Sequence, residues 1–446
     1  MLLWIFTLNF SHLLLLKKTM ETNSKMMFIP EFKIEEDRFG VEYDVNNQRL
    51  LTAFRLGNHP VKQYEVKAET KIISDGAFDS LDELVSIELP DSVEMIESRA
   101  FFHCDSLERI HLPTSLHQIG EYAFCSCTNI KEISIDEKNM HFKVEDGFIL
   151  SKDGSTLIYA IPGQSSECIN IPKDVVDISE GAFLGNDKVR HVNLPDTLKK
   201  IGKFAFEDCL QLKTINLPDG LISLEDGCFY HSTINEITIP ASVKSIGLAA
   251  FSACYALERI NVNDKNPDFV SLNGVLLTAN RLTLLNYPSA LKEKVYYIPQ
   301  SILFINPNAF ESCMYLEKVI LPDGLVSIEN HTFSNCRSVN QINLPKSITL
   351  IGDRAFYGCT MLENIILPPK LHYLGQEAFG LCHNLKKINI PEHLNSIGDD
   401  AIQYNENLEI KVHRKNKKYR VYNKMLYQIS YCMCEYPTIE DVYRPL

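Results

Sequence analysis

Apolar positions along the chain recur with a long period. A Phe, usually preceded by Ala, stands at Phe78, Phe101, Phe124, Phe183, Phe206, Phe229, Phe251, Phe310, Phe333, Phe356 and Phe379, and Ile402 takes the twelfth place. The intervals are 23, 23, 59, 23, 23, 22, 59, 23, 23, 23 and 23 residues. Self-similarity at such a period marks a stacked-repeat architecture. One unit reads LERIHLPTSLHQIGEYAFCSC over residues 107–127, with apolar Leu107, Ile110, Leu112, Leu116, Ile119, Ala123 and Phe124, closing on Cys127. A single coil cannot bury that stripe; stacked coils can, because each covers the next.

Within the unit, residues 110–112 alternate in and out with period two, which predicts a short strand. Pro113 lacks an amide hydrogen and ends it. Pro recurs there at Pro90, Pro195, Pro218, Pro240, Pro322, Pro345, Pro368 and Pro391. A second extended piece covers 116–119. Gly120 is read as allowing a tight bend, and the Ala-Phe-x-x-Cys stretch as a short helical turn. A Cys follows the Phe by three residues at Cys104, Cys127, Cys209, Cys254, Cys313, Cys336, Cys359 and Cys382, eight of the thirteen in the chain. Eight copies at one core position point to a ladder of buried, reduced thiols that fill space and offer hydrogen to backbone carbonyls, not to metal or catalytic sites.

The pattern L-x-x-I-x-L-P-x-x-L-x-x-I-G-x-x-A-F-x-x-C closely resembles the BspA-like class of leucine-rich repeats over residues ~70–412. The resemblance implies an α/β repeat solenoid: a right-handed coil with a curved parallel β-sheet on one face, short helical turns and inserted β-hairpins. Members of that class are commonly bacterial or protozoan surface proteins that bind other proteins, which implies adhesion and a cell-surface or secreted location. If residues 1–19 are not translated, the expected location is cytoplasmic.

The two 59-residue intervals hold related insertions. KNMHFKVEDGFILSKDGSTLIYAIP (138–162) and KNPDFVSLNGVLLTANRLTLLNYP (265–288) share Lys-Asn, an aromatic residue three positions after the Asn, and a Gly five further on. Each reads as a hairpin. A third copy begins at Lys415-Asn416, and a weaker one spans 41–54. The organisation expected is an apolar leader or mis-assigned start over 1–26, an N-terminal hairpin cap over 27–70, the solenoid over 71–412 with insertions near 137–165 and 264–290, and a C-terminal hairpin cap over 413–446. The apolar run 1–16 is short for a spanning helix, which needs ~20 residues.

The chain of 446 residues carries 44 Lys and Arg against 57 Asp and Glu, a formal charge of −13. An acidic chain, read here as lacking a dense basic run, makes a poor nucleic-acid ligand. No phosphate loop, dinucleotide fingerprint, zinc-protease or nucleophile-elbow motif occurs, so no catalytic residue, cofactor or metal is assigned. Cys432 and Cys434 are read as hairpin packing. What remains is the concave sheet face. Its outward pairs are Ser86 and Glu88, Arg109 and His111, Glu132 and Ser134, His191 and Asn193, Thr214 and Asn216, Glu236 and Thr238, Arg259 and Asn261, Lys318 and Ile320, Gln341 and Asn343, Asn364 and Ile366, Lys387 and Asn389. Ile320 and Ile366 stand out as apolar anchors, and the Asn residues as a self-bonding ladder or an amide-rich groove. The reading is a non-catalytic scaffold that binds a protein or peptide through this face. The alternatives are a structural spacer or self-assembling surface element, and an enzyme carried by the caps.

Overall fold

A computed structural model describes residues 33–54, 61–403, 405, 408–422, 425–429 and 443–445. Cys432, Cys434 and the apolar run 1–16 lie outside these residues. The chain winds as a parallel β-solenoid of about 15 turns. In each turn the residues before the Pro form one strand and the residues before the Ala-Phe form a second, so two parallel columns run along the molecule. In the long-strand column, Arg109–Leu112 pairs in register with Glu132–Ile135, so that Ile133 lies on Ile110 and Ser134 on His111. In the short-strand column, Met95–Ile96 pairs with Gln118–Ile119. Ile110 and Leu112 face inward while Arg109 and His111 face solvent, as a period of two requires.

The Ala-Phe-x-x-Cys stretch is not helical; the described residues contain no α-helix. In every unit the residues two before and two after the Phe are left-handed, for example Arg99 (φ 56°) and His103 (φ 53°) around Phe101, and Arg354 (φ 50°) and Gly358 (φ 69°) around Phe356. An α-helix needs a negative φ throughout. The alternation turns every second N–H along the solenoid axis: Gly76 N donates to Ser98 O at 3.0 Å, Phe78 N to Ala100 O at 2.8 Å and Ser80 N to Phe102 O at 2.9 Å. The intervening amides bond locally, as Ala77 N to Ser74 O at 3.1 Å. These turns therefore form a third column of inter-coil hydrogen bonds, which offsets the cost of roughly 1–2 kcal/mol for each left-handed non-Gly residue.

Gly120 is also explained differently from the expectation of a tight bend. It is not among the residues with positive φ. A Cβ on Gly120 would sit 2.4 Å from Ser98 N, and one on Gly375 would sit 2.4 Å from Asp353 N. Glycine is required here because two coils touch backbone to backbone.

The thiol ladder forms with one donor geometry. Cys127 Sγ donates to Phe101 O at 2.8 Å, Cys336 Sγ to Phe310 O at 2.9 Å, and Cys382 Sγ to Phe356 O at 3.1 Å. Each of these thiols thus reaches the carbonyl of the Phe one coil back, while Cys313, after the second insertion, faces Tyr287 O at 4.0 Å. All eight repeat cysteines are buried, as are Cys125 and Cys228, whereas Cys168 is exposed. Burial pushes the Cys254 and Cys382 thiols up to about 12, so both remain protonated donors at neutral pH.

The Phe rings stack at the coil spacing: 5.1 Å between Phe78 and Phe101, 5.4 Å between Phe206 and Phe229, and 5.0 Å between Phe356 and Phe379. The insertions interrupt this ladder, and rings they supply continue it. Tyr159 lies 5.9 Å from Phe124, Phe148 is edge-on to Phe183 at 6.2 Å, and Tyr287 stacks on Phe310 at 5.0 Å. The apolar interior accordingly divides into three clusters, carrying Phe78 to Phe124, Phe183 to Phe251, and Phe310 to Ile402.

Each insertion, expected to be a β-hairpin, is a three-stranded antiparallel meander whose last strand joins the short-strand column. Phe142–Glu145 pairs antiparallel with Phe148–Ser151, which pairs antiparallel with Thr156–Ala160; the latter runs parallel to Asp177–Ile178. Phe269–Leu272, Val275–Thr278 and Thr283–Asn286 repeat this arrangement. A buried Asn ties each insertion to the coil before it. Asn139 Nδ2 donates to Pro113 O (3.0 Å) and Leu116 O (2.8 Å), while its Oδ1 accepts from the amides of His141 and Phe142, both at 2.8 Å. Asn266 and Asn416 make the same four bonds.

Three outcomes follow from this packing. Brief native treatment with a thiol reagent, read by peptide mapping, labels Cys168 and spares the eight ladder thiols; denaturation exposes all eight. Cys336→Ser destabilises by about 1–3 kcal/mol, because a stronger polar group is buried in place of a weak one. Phe356→Ala costs about 3–5 kcal/mol, and hydrogen exchange shows the lost protection first in the cluster from Phe310 to Ile402, since each coil touches only its neighbours. Equal loss across all three clusters would contradict the division of the core.

Candidate functional site

The outward residues of the long-strand column line up one per coil, and stacking decides which of them meet. In the first two clusters some of them bond to one another. His111 Nδ1 and Ser134 Oγ are 2.9 Å apart, and His191 Nδ1 and Thr214 Oγ1 2.7 Å. Asn193 Nδ2 donates to Asn170 Oδ1 at 2.8 Å. Asn216 extends the row in register with Asn193. Of the expected Asn ladder, Asn170–Asn193 is the pair that forms among the described residues. Glu236 lies in register with Arg259, and Asn261 with Thr238. The second insertion crosses this edge: Ile260 N donates to Gly274 O at 2.9 Å, and Asn261 is half-buried.

The third cluster presents a different surface. Val295–Tyr297, Lys318–Ile320 and Gln341–Asn343 are adjacent and in register, placing Val295, Lys318 and Gln341 in one row and Tyr297, Ile320 and Asn343 in the next. Tyr297 is 70% exposed. Ile320, expected to be exposed, is half-buried, as is Lys318. Ile366 is 78% exposed for a local reason. The Asn389 carboxamide takes over the backbone of the preceding coil, accepting from Leu367 N at 2.8 Å and donating to Leu367 O at 3.1 Å. The strand Asn364–Ile365 stops short and leaves Ile366 standing out. Lys387 reaches Glu409 at 3.8 Å. Beside Asn389 an open groove of about 390 Å³ is lined by Leu367, Pro369, Pro391, His393, Lys411 and His413, among others.

Tyr297 and Val295 were missed by sequence because their strand directly follows an insertion and lacks the apolar residue that opens other units, Glu293 standing in its place. The signal was nonetheless present: Val295-Tyr-Tyr-Ile-Pro299 repeats the strand-then-Pro pattern, as does Cys168-Ile-Asn-Ile-Pro172.

Titratable groups converge in the turn column of the middle coils. Tyr230 Oη donates to Glu311 Oε1 (3.1 Å), Asn308 Nδ2 donates to Glu311 Oε2 (2.8 Å), and His231 pairs with Asp208. Burial, then the Asp208 charge, push the Glu207 carboxyl up to about 7, against a smaller lowering by His231. Burial likewise raises Glu311, whereas the Asp208 hydrogen bond raises His231. Tyr230 with Glu311 and His231 with Asp208 bond across stacked turns. Among the described residues no group of three His, Cys, Asp or Glu is arranged to hold a metal ion.

A pH dependence of stability follows from this cluster. A carboxyl whose folded pKa lies above its unfolded value favours the folded state at low pH. Its contribution is therefore complete below about 4.5 and is lost as pH rises through about 7. Glu207→Gln should remove about 2 kcal/mol of that loss, allowing for residual solvent contact. Thermal melts between pH 4 and 8 would show a flatter profile for the variant.

The geometry has known counterparts. A family model described as BspA type leucine-rich repeat region matches residues 52–146, 159–271 and 290–427, in six copies. Among solved structures, the chain is similar to the pneumococcal vaccine antigen PcpA, at 19% identity and a TM-score of 0.50, over 86% of this chain and 89% of that one. A leucine-rich cell surface protein from Faecalibacterium prausnitzii aligns at 22% identity and a TM-score of 0.48, over 82% of this chain and 95% of its own. A leucine-rich repeat protein from Eubacterium ventriosum aligns at 22% and 0.49, over 66% and 73%. No curated protein matches the chain significantly. With a repeated-coil sequence, parallel columns and a family match over most of its length, the chain belongs to the BspA-type leucine-rich-repeat family.

Proposed function

We propose that the protein is a non-catalytic scaffold that binds a protein or peptide on the outer face of its long-strand column, over residues 295–411, at the cell surface or after secretion. The observation that carries this reading is the pair of exposed apolar side chains, Tyr297 at 70% and Ile366 at 78% exposure, on a strand face where Val295 and the half-buried Ile320 alternate with Lys, Gln and Asn. Aromatic and aliphatic anchors ringed by polar groups are the usual make-up of a protein interface. The groove of about 390 Å³ next to Asn389 offers a recess on the same side. Earlier coils support a different role: with His111, His191 and Asn193 bonded along the stack, that part of the face acts as a spacer.

Tyr297→Asp with Ile366→Asp tests the reading. Both side chains leave the core untouched, so the fold persists and recovery of the partner from extract of the native cell is lost. Ile320 is left in place because its half-buried side chain would confound the result. The control is Asp399→Lys, an exposed residue of the turn column. Glu377 is unsuitable there, since Arg354 holds it through two bonds of 2.9 and 3.1 Å. Recovery that survives the double change and fails in the control would place the function on the turn column.

A further inference from the structure

The three copies of the insertion loop supply an internal comparison. Asn139, Asn266 and Asn416 anchor them in the same way, so residues 136–141, 263–268 and 413–418 occupy equivalent places. The first carries Asp136, Glu137 and Lys138, the second Asp264, Lys265 and Asp268, and the third Arg414, Lys415, Lys417 and Lys418. Their formal charges are −1, −1 and +4, with His neutral. The run 413–418 is thus a dense basic segment in an acidic chain, contrary to the expectation that none exists. Its four cations are exposed, and none makes an ion pair among the described residues. Lys418 Nζ rests on Asn395 O at 2.9 Å. Four like charges within five residues repel one another.

The opposite end carries the opposite sign. From Ile72 to Glu108 ten acidic residues stand against one basic residue, Arg99. Asp79, Glu94, Glu97 and Glu108 are ion-paired, with Arg99, Lys71, Arg49 and Lys131, and Glu88 and Asp91 are not among the ion-paired acids of the described residues. Glu65 and Glu88 are exposed and lie directly in register on adjacent strands, an arrangement that is destabilising for like charges. Asp91 is exposed three residues beyond the strand Ser86–Glu88, in the same inter-column connection that the basic loop occupies at the far end. Charge used only to keep the ends of a solenoid apart would have one sign at both. Here a head-to-tail encounter brings opposite signs together and relieves the repulsion within each.

We propose that the basic loop 413–418 of one molecule docks on the acidic N-terminal coils of a second copy, around Glu65, Glu88 and Asp91, to give a head-to-tail assembly. The contact is heterologous: the two surfaces differ, so association continues beyond a dimer unless a ring closes. Because it rests on exposed charges, it is strong when the Debye length is about 30 Å and weak when it is about 8 Å.

Sedimentation equilibrium of the full chain tests this at about 10 mM and about 150 mM salt. At low salt the wild-type mass should exceed that of the monomer and grow with concentration; at high salt it should fall toward the monomer. Arg414→Glu with Lys415→Glu, Lys417→Glu and Lys418→Glu should be monomeric at both, as should Glu65→Lys with Glu88→Lys and Asp91→Lys. A chain carrying both sets should associate again at low salt. If a reversal disturbs the fold by circular dichroism, the same positions changed to Gln serve instead, with loss of association expected. Four results would overturn the proposal. These are a monomeric wild type at low salt, association that survives loop reversal, failure of the doubly reversed chain to associate, or a monomer that binds phosphatidylserine vesicles through the loop.

Discussion

Inter-coil hydrogen bonding at a spacing of ~4.8 Å is the constraint on which everything else rests. Three columns of bonds hold each coil to the next: the long strands, the short strands and the left-handed turns. With the register so fixed, nearly every side chain meets the residue 23 positions away in its own sequence. A residue choice becomes a row. Phe makes a stack of rings, Cys a chain of thiols bonded to the carbonyls one coil back, and Gly120 a line of backbone contact. The same rule explains why the insertions must supply rings. Tyr159, Phe148 and Tyr287 stand where the Phe rows would otherwise end against empty space.

The strands and the thiol ladder were legible in the sequence because both report on burial, and burial follows periodicity. Alternation around Ile110 and the recurrence of Cys three residues after Phe each have one packing solution. The turn column was not legible. Ala-Phe-x-x-Cys has the spacing of a helical turn, and the residues that adopt left-handed backbone include Arg99, Tyr122, Phe204, Ala249, His331 and Glu377. None of these is a residue that announces such a conformation. It is imposed by the stack, because the bonds gained between coils exceed the local preference. Gly120 misled in the converse way: glycine ordinarily signals a bend, and here it signals contact between neighbouring backbones.

The candidate face was legible coil by coil but not as a surface. Alternation identified the outward residues; it did not reveal which were already bonded to their neighbours. His111, His191 and Asn193 looked equivalent to Asn343 and Asn389 until the stack paired the first three along its axis and turned Asn389 onto the Leu367 backbone. That last bond is what exposes Ile366. An amide on one coil thus sets the exposure of an apolar side chain on another, a coupling that no single unit contains. Tyr297 escaped for a different reason: its strand follows an insertion, and Glu293 stands where other units carry the apolar residue that opens the repeat, such as Leu107 before Arg109.

Stacking also governs where charge can be placed. A repeated charge in the interior of the array would face itself at ~4.8 Å along the whole length, which is destabilising for like signs. The outward rows accordingly mix signs or place opposite charges one coil apart, as in Lys131 with Glu108, Lys294 with Glu317 and Lys386 with Glu363. The loop with its four cations follows the last described strand of the long-strand column, Glu409–Val412, and the carboxylates Glu65 and Glu88 belong to the first two described strands of that column. An array with unlike ends has a direction in its electrostatics as well as in its chain. A face that binds through Tyr297 and Ile366 would then be presented by each molecule in turn along an assembly, multiplying weak contacts by proximity rather than by affinity.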